Sequence, residues 1–551
     1  MDNISSNREP RLVQTGGDSP LLTVQYKGRF LYSKYNPARA ICSIIEKTTF
    51  LPGTIILACS PCLWYGLDEL TGKLPENCTI VAVEYDTFLC NIAKQKRQDV
   101  FSASETAFLD TKLRQLASTG LYRRVVRIDF SAGTVLAPDF YTLVTNAAEQ
   151  IVATFWFNRI TLVKMGRLFT KNLFQNLPSL AEGPFLQELK GSVSRPILVC
   201  GAGESLDSTP LEQFGSTFVI AVDAAVPSLV KRGIRIDAVV ALEGQFVIQK
   251  AYIGCERQLK KTILIADIAS RPSVLRAFHG RTVWMASRFT EAAYLDSMKE
   301  QGIIQNFVQP MGSVGLAAAF CALVLRETSA IPVYITGMDF SYSIGRTHAR
   351  GTPAQDRILS ESTKLSSSGN YGAAFSAAGF FVSDKNGDKM ATGKAMKSYA
   401  DNFAQTFSQI PNMYDIGEYG IPLGLQRLDA SKLCRHISSS PQATGMLHDK
   451  ELPRLLSSGS GSRREKLISY CTAEQQALLE ARDLLVNGEA SKYRNEKPLD
   501  EQLASLLAKR EYLYLHFPDG YRFSPSPAFL KRVRAELDYF LKQMQNALSQ
   551  F

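Results

Sequence analysis

Short apolar runs alternate along the chain with longer stretches whose apolar residues recur every three or four positions. Near the N-terminus, Leu22–Tyr26 and Arg29–Ser33 flank Lys27-Gly28 and predict a hairpin. Apolar runs at Thr54–Cys59, Thr79–Glu84 and Arg124–Asp129 predict buried strands, with helical stretches at Thr87–Lys96 and Thr106–Ser118 between them. Strands that alternate with helices build a parallel sheet covered by those helices. The pattern resumes with strand runs at Pro196–Cys200, Thr217–Val222, Asp237–Leu242, Thr262–Ala266 and Pro332–Thr336. Gly233 ends the helix Val226–Arg232. Val314–Leu325 is almost wholly apolar, too short to cross a bilayer, and predicts a helix buried on every side. Past the Ser/Gly-rich stretch Ser438–Ser462, three- and four-residue spacing predicts helices at Glu465–Val486, Leu499–Leu515 and Ala528–Leu548.

These elements divide the chain into an N-terminal Rossmann-like α/β domain (1–169), a larger Rossmann-like α/β domain (170–430), a flexible linker (431–462) and an α-helical C-terminal domain (463–551). The small-residue stretch Ser366–Gly379 predicts a mobile lid inside the second of these. At 551 residues, with 45% hydrophobic and 21% charged, the chain is neither disordered nor collagen-like. The net charge of +10 is spread along the sequence, which gives no nucleic-acid signature. Ten cysteines are scattered, and the polar first 20 residues lack the apolar core of a secretory signal. A cytoplasmic location with reduced thiols is therefore expected.

Three clusters carry candidate chemistry. In PILVCGAGESLD an apolar strand runs into Gly201-Ala202-Gly203-Glu204-Ser205, a loop whose glycines allow backbone amides to approach a phosphate or carboxylate. The next two strands end at Asp223 and Glu243, positions suited to polar groups of a ribose or base, or, for Asp223, to a helix N-cap. Gly312-Ser313 precedes the apolar helix, whose N-terminus suits an anion as well as a simple Ser cap. After Pro332–Thr336 come Gly337-Met338-Asp339-Phe340-Ser341-Tyr342 and then Arg346, His348 and Arg350, with His348 a candidate general base. Cys59-Ser-Pro-Cys62 has the spacing of a redox pair without a second pair to support a metal, and Glu84 sits where a ribose-binding acid would, above a loop that is not glycine-rich.

On these residues the chain resembles the motility accessory factor (Maf) family of bacterial flagellin glycosyltransferases. The matching stretches are FLYSKYNPARA (Phe30–Ala40), GAGESLD (Gly201–Asp207), AVDAAVPSLVKRGIRIDAVVALE (Ala221–Glu243) and ITGMDFSYSIGRTHARGT (Ile335–Thr352), and the resemblance covers about residues 25–425. The central region is also similar to 6-hydroxymethylpterin pyrophosphokinases and to metal-independent bacterial sialyltransferases that use CMP-sialic acid. By the latter resemblance Gly201, Gly203 and Ser205 approach the donor phosphate, with Glu204 beside them. Asp223 meets the nucleotide, Ser313 after Gly312 meets the sugar carboxylate, and Ser341 or Tyr342 lies near the leaving phosphate. The sequence departs from those relatives at Glu204 (usually Pro), Ala202 (usually Asn) and Glu243 (an Asp in Maf proteins). After the lid, where sialyltransferases carry a catalytic histidine, Ser383–Lys394 offers Asp384 and Asp388 instead.

The resemblance implies a cytoplasmic, metal-independent transferase with no cofactor. It would move a nonulosonic acid, such as pseudaminic or legionaminic acid, from a CMP-activated donor to Ser or Thr of flagellin or another protein acceptor, in support of flagellar assembly and motility. His348, Asp339 and Asp388 are the candidate acceptors of the hydroxyl proton, and self-association into a homo-oligomer is a further expectation. Two other readings stay open: a magnesium-dependent pyrophosphokinase acting on a hydroxymethylpterin-like substrate, with Asp223, Glu243 and Asp339 on the metal, and a non-catalytic nucleotide-sugar-binding protein.

Overall fold

The computed structural model describes residues 9–16, 21–278, 281–366, 379–429, 432–433, 436–437, 460–487 and 498–551. Most of the expected lid (Ser366–Gly379), most of the expected linker, His279 and His448 lie outside the described residues. No described helix is long and apolar enough to cross a membrane. The chain forms two compact units. The first comprises residues up to Lys164 together with Leu515–Phe523, and the second comprises Met165–Tyr514 with Ser524–Phe551.

In the first unit β1 (Arg11–Gln14), β2 (Leu22–Tyr26) and β3 (Arg29–Phe30) form an antiparallel meander. A parallel sheet follows, built from β4 (Thr54–Cys59), β5 (Thr79–Glu84), β6 (Val100–Ser102) and β7 (Arg124–Asp129) in the order β6-β5-β4-β7. Every residue of β4 is buried, as expected for a central parallel strand with both faces covered. The periodicity reading missed the helix Pro138–Thr161, because exposed Leu143, Phe157 and Ile160 blur its apolar stripe. Tyr521 lies where a side chain on Gly120 would have to go, and the buried Arg159 guanidinium donates to the Phe517 carbonyl, so the 515–523 segment is an integral part of this unit.

The second unit is centred on an eight-stranded parallel sheet: β8 (Ile197–Cys200), β9 (Phe218–Val222), β10 (Ala238–Ala241), β11 (Ile263–Asp267), β12 (Thr282–Met285), β13 (Val333–Thr336), and, past the antiparallel hairpin β14 (Gly379–Ser383) and β15 (Lys389–Gly393), β16 (Met413–Asp415) and β17 (Gln426–Arg427). The order is β12-β11-β10-β9-β8-β13-β16-β17, so the chain winds outward from β8 in one direction and then returns to build outward from β13 in the other. The helix Val314–Leu325 packs beneath β8, β9, β10 and β13, and its Ala/Gly content lets it lie close to the sheet. Helices 460–487 and 527–548 pack with the helix Arg167–Leu180, tied by Arg167–Glu536 and Gln175–Gln543 contacts. The whole is an α/β fold of parallel sheets with a helical C-terminal part.

Candidate functional site

In an open parallel sheet, the crevice for ligands opens where the strand order reverses, at the carboxyl ends of the strands. Here that point lies between β8 and β13, and the loops leaving these two strands are the glycine loop and the Gly337–Tyr342 loop. They press against each other. A Cβ on Gly201 would sit 2.2 Å from the Gly337 carbonyl oxygen, and one on Gly203 would sit 2.5 Å from Asp339 Oδ2. The amides of Gly201 and Gly203 donate to Thr336 and Gly337 carbonyls. These glycines therefore serve loop-to-loop contact within the chain before any ligand is considered.

Asp339 locks that contact. Its carboxylate accepts from the Ser205 amide at 2.8 Å and from the Ser205 hydroxyl, and the same hydroxyl oxygen accepts from the Gly337 amide at 3.1 Å. Burial pushes the Asp339 carboxyl up to about 6, held back by the Lys385 charge and the Ser205 bonds. Beside it Lys385, from the turn of the β14–β15 hairpin, reaches Asp415 at the tip of β16 at 2.7 Å, with both side chains almost wholly buried. Gly417 and Gly420 leave the room: a Cβ on either would meet Ser205 Oγ at 2.9 Å or the Asp339 backbone at 2.4 Å. Lys385 and Asp415 escaped the sequence reading, although Asp415-Ile-Gly417 is a strand tip followed by glycine, the same kind of signal that marked Cys200-Gly201.

The carboxylate of Glu204, which would repel a phosphate, is instead engaged. It accepts from the Ser343 hydroxyl at 2.5 Å and lies 3.3 Å from Arg346, whose guanidinium also binds Asp207. The Ala349 amide donates to Ala202 at 2.9 Å, so the segment carrying His348 is seated on the glycine loop. His348 Nδ1 pairs with the Thr347 hydroxyl at 2.9 Å, and burial lowers the imidazole below its usual value. It is thus a neutral group at pH 7 next to the glycine loop.

The remaining predicted positions spread around this centre. Ser313 caps the apolar helix by accepting from the Gly315 amide at 3.2 Å, and a Cβ on Gly315 would meet Met338, which brings the helix N-terminus against the Gly337–Tyr342 loop. Gly312, at φ +70°, faces the Tyr399 ring. Ser341 donates to its own loop at Asp339, while Tyr342 is buried and pairs with Ala391 of β15. Asp223 lies one strand from β8 and Glu243 two. Burial pushes Asp223 up to about 7, with Glu243 adding to the rise. Asp267, one strand further, accepts from the Ala269 and Ser287 amides and is pushed up to about 6 by burial. Asp388 is exposed in the hairpin turn, where its amide donates to Asp384, and is not brought to Asp339 or His348 by any contact among the described residues. Among the described residues there is no cluster of three or more His, Cys, Asp or Glu side chains able to hold a metal ion.

In the first unit, Glu84 is fully enclosed. The Tyr141 hydroxyl donates to one oxygen at 2.7 Å and the Ser60 hydroxyl to the other at 2.8 Å, and burial pushes the carboxyl up to about 7. Tyr32 fills the loop after β4, accepting from the Leu63 amide and donating to the Pro61 carbonyl. Cys59 and Cys62 are buried, and burial pushes both thiols up, Cys59 to about 12, so neither is a thiolate at neutral pH.

Compared with known proteins, residues 171–345 match a family model described as 6-hydroxymethylpterin diphosphokinase MptE-like. A solved structure, that of the Maf glycosyltransferase from Magnetospirillum magneticum AMB-1, superposes with a TM-score of 0.56 at 14% identity, over 99% of this chain and 93% of that one. The chain has the fold of a Maf glycosyltransferase. A curated relative, an uncharacterized protein of Treponema pallidum (strain Nichols), is 29% identical over 559 residues, covering 97% of this chain and 94% of that protein.

Proposed function

We propose that the chain is a glycosyltransferase that passes a nonulosonic acid from a CMP-activated donor to a Ser or Thr hydroxyl of a protein acceptor such as flagellin. The observation that carries this reading is the convergence of the glycine loop and the Gly337–Tyr342 loop at the strand-order reversal, in a chain with the Maf glycosyltransferase fold. The donor phosphate sits at the glycine loop, where Arg346 pairs with Glu204 and Asp207 and so offsets their negative charge. The N-terminus of helix Val314–Leu325 faces the sugar carboxylate, since the first-turn amides that Ser313 does not cap and the helix dipole favour an anion there. The departing sugar passes through an oxocarbenium-like state, stabilised as the bond to phosphate breaks and the Tyr342 phenol supports the leaving oxygen. His348 takes the acceptor proton. Asp339, bonded to Ser205, positions the glycine loop rather than exchanging that proton.

The test is a thermal-shift titration with CMP, ATP and GTP, each with and without Mg²⁺. A ligand at about 100 times its dissociation constant stabilises by about 2.7 kcal/mol. A CMP shift that needs no metal supports the reading, and its absence beside a magnesium-dependent ATP or GTP shift overturns it. That second outcome belongs to a pyrophosphokinase acting on a hydroxymethylpterin-like alcohol, a reading favoured by the MptE-like match and by the neighbouring acids Asp223 and Glu243.

A further inference from the structure

The segment after β10 carries an exposed face that the site does not use. Phe246–Ala251 is a 3-10 helix, and three-residue turns continue from Tyr252 N to Gln249 O, from Cys255 N to Tyr252 O and from Gln258 N to Cys255 O. Side chains three apart in a 3-10 helix eclipse one another, so Val247 and Lys250 share a row that Ile253 extends, with Phe246 beside it. Phe246, Val247 and Ile253 are 66%, 58% and 72% exposed. Single exposed apolar residues are ordinary; here three are gathered on two turns into one apolar patch.

The charge around this face is one-sided. Residues 244–278 hold six Lys and Arg against two acids, and one of those acids, Asp267, is buried. Lys250, Arg257, Lys260 and Lys261 are exposed and have no carboxylate at ion-pair distance among the described residues. The Arg271 guanidinium lies over the Phe246 ring at 5.5 Å. The inner side of the same segment packs against Asp223–Ala225 at the tip of β9: Tyr252 is buried, and the Asp223 carboxylate is near enough to act on its phenol.

We propose that Phe246, Val247, Lys250 and Ile253 form a docking surface for a polypeptide whose apolar residues are flanked by Asp or Glu, and that this surface presents the acceptor segment to the crevice beside it. Only the last clause rests on the glycosyltransferase reading; the surface stands on exposure and charge. A polypeptide fits better than a lipid surface. A helix lying in a bilayer interface shows a long apolar face, whereas this one spans two turns and has exposed Glu256 at its end.

The experiment uses the full chain and fluorescein-labelled synthetic peptides read by anisotropy. One peptide alternates Glu with Leu and Phe, a second replaces Glu by Lys, and a third replaces Leu and Phe by Ser. The Glu/Leu/Phe peptide binds, and the other two bind about tenfold more weakly or not at all. The exposed-site variants Val247→Ser/Ile253→Ser and Lys250→Glu/Arg257→Glu each weaken binding about tenfold, added salt weakens it further, and the CMP thermal shift is unchanged. Equal binding of the Lys peptide overturns the proposal, as does undiminished binding by both variants. Capture by phosphatidylglycerol vesicles without peptide binding overturns it in favour of a membrane surface. Peptide binding lost in the variants of a chain that shows no CMP shift supports the surface while removing the enzymatic reading; a CMP shift without peptide binding does the reverse.

Discussion

Replacing Lys385 by Met removes the cation from a buried pair and leaves Asp415 charged and enclosed. The pair spans 2.7 Å with 1% and 2% of the side chains exposed, so solvent screening gives no relief. Breaking a buried pair by removing one partner costs about 3–5 kcal/mol, more than a surface pair by a wide margin. Lys385 also ties the β14–β15 hairpin to the tip of β16, so the loss is cooperative with hairpin docking. The assay is urea unfolding followed by fluorescence. The chain has three tryptophans, and in a Trp64→Phe/Trp156→Phe background the fully buried Trp284 reports the second unit alone. With a urea slope near ~3 kcal/mol/M, Lys385→Met lowers the midpoint by about 1–2 M. Asp415→Asn alone costs a similar amount, because it strands the ammonium. The double variant Lys385→Met/Asp415→Asn costs less than the two singles together by about 2–3 kcal/mol, the signature of direct coupling. Additivity within about 0.5 kcal/mol, or a Lys385→Met midpoint equal to that of the parent, refutes the reasoning.

Gly203→Ala places a methyl 2.5 Å from Asp339 Oδ2 at an ordinary backbone angle, so the strain is steric alone; it lowers stability by about 1–3 kcal/mol and weakens any CMP thermal shift, read in the same titration. Asp223, raised to about 7 in the folded chain from its ordinary 3.8, makes the native state hold a proton that the unfolded state has released; its contribution to stability is full below about pH 4 and is lost as pH rises to 7. Asp223→Asn removes that decline, at most about 1.4 kcal/mol per pH unit, as melting temperatures at pH 5 and pH 7.5 will show. Because burial lowers the His348 imidazole below its ordinary 6.5, the transfer rate stays level from pH 8 down to that value and falls only below it, and His348→Ala reduces kcat by about 10²–10⁴ at every pH in that range; an unchanged profile in the variant removes His348 from the chemistry.

Much of the fold is legible in the apolar pattern. The expected strands at Thr54–Cys59, Thr79–Glu84 and Arg124–Asp129 and the helices Thr87–Lys96, Thr106–Ser118 and Val314–Leu325 are observed with the same bounds. These are six-residue apolar strand runs and helices periodic over several turns, where the sequence pattern is long enough to read. What the pattern does not show are β1, β6, β12 and β14–β17, short or half-exposed pieces, and the helices Pro138–Thr161 and Arg167–Leu180. Periodicity also carries no information on strand order, so the reversal between β8 and β13, where the glycine loop meets the Gly337–Tyr342 loop, is invisible in one dimension. For the site, single residues such as Gly201, Asp339 and His348 stand out locally, but the partners that define their states do not: Ser205 for Asp339, Arg346 for Glu204 and Lys385 for Asp415 lie between 30 and 142 positions away.

The nine residues Leu515–Phe523 belong to the first unit, although hundreds of residues of the second are made before them. The order of synthesis and the order of completion therefore differ. A nascent chain that has left the ribosome only as far as Lys164 holds an Arg159 guanidinium without the Phe517 carbonyl it is built to meet, and a Gly120 whose facing ring, Tyr521, does not yet exist. The first unit must wait, open at that edge, until the codons for Leu515–Phe523 are read. A C-terminal truncation at 514 should thus damage the N-terminal unit, and the two units are better separated by mutation than by scissors.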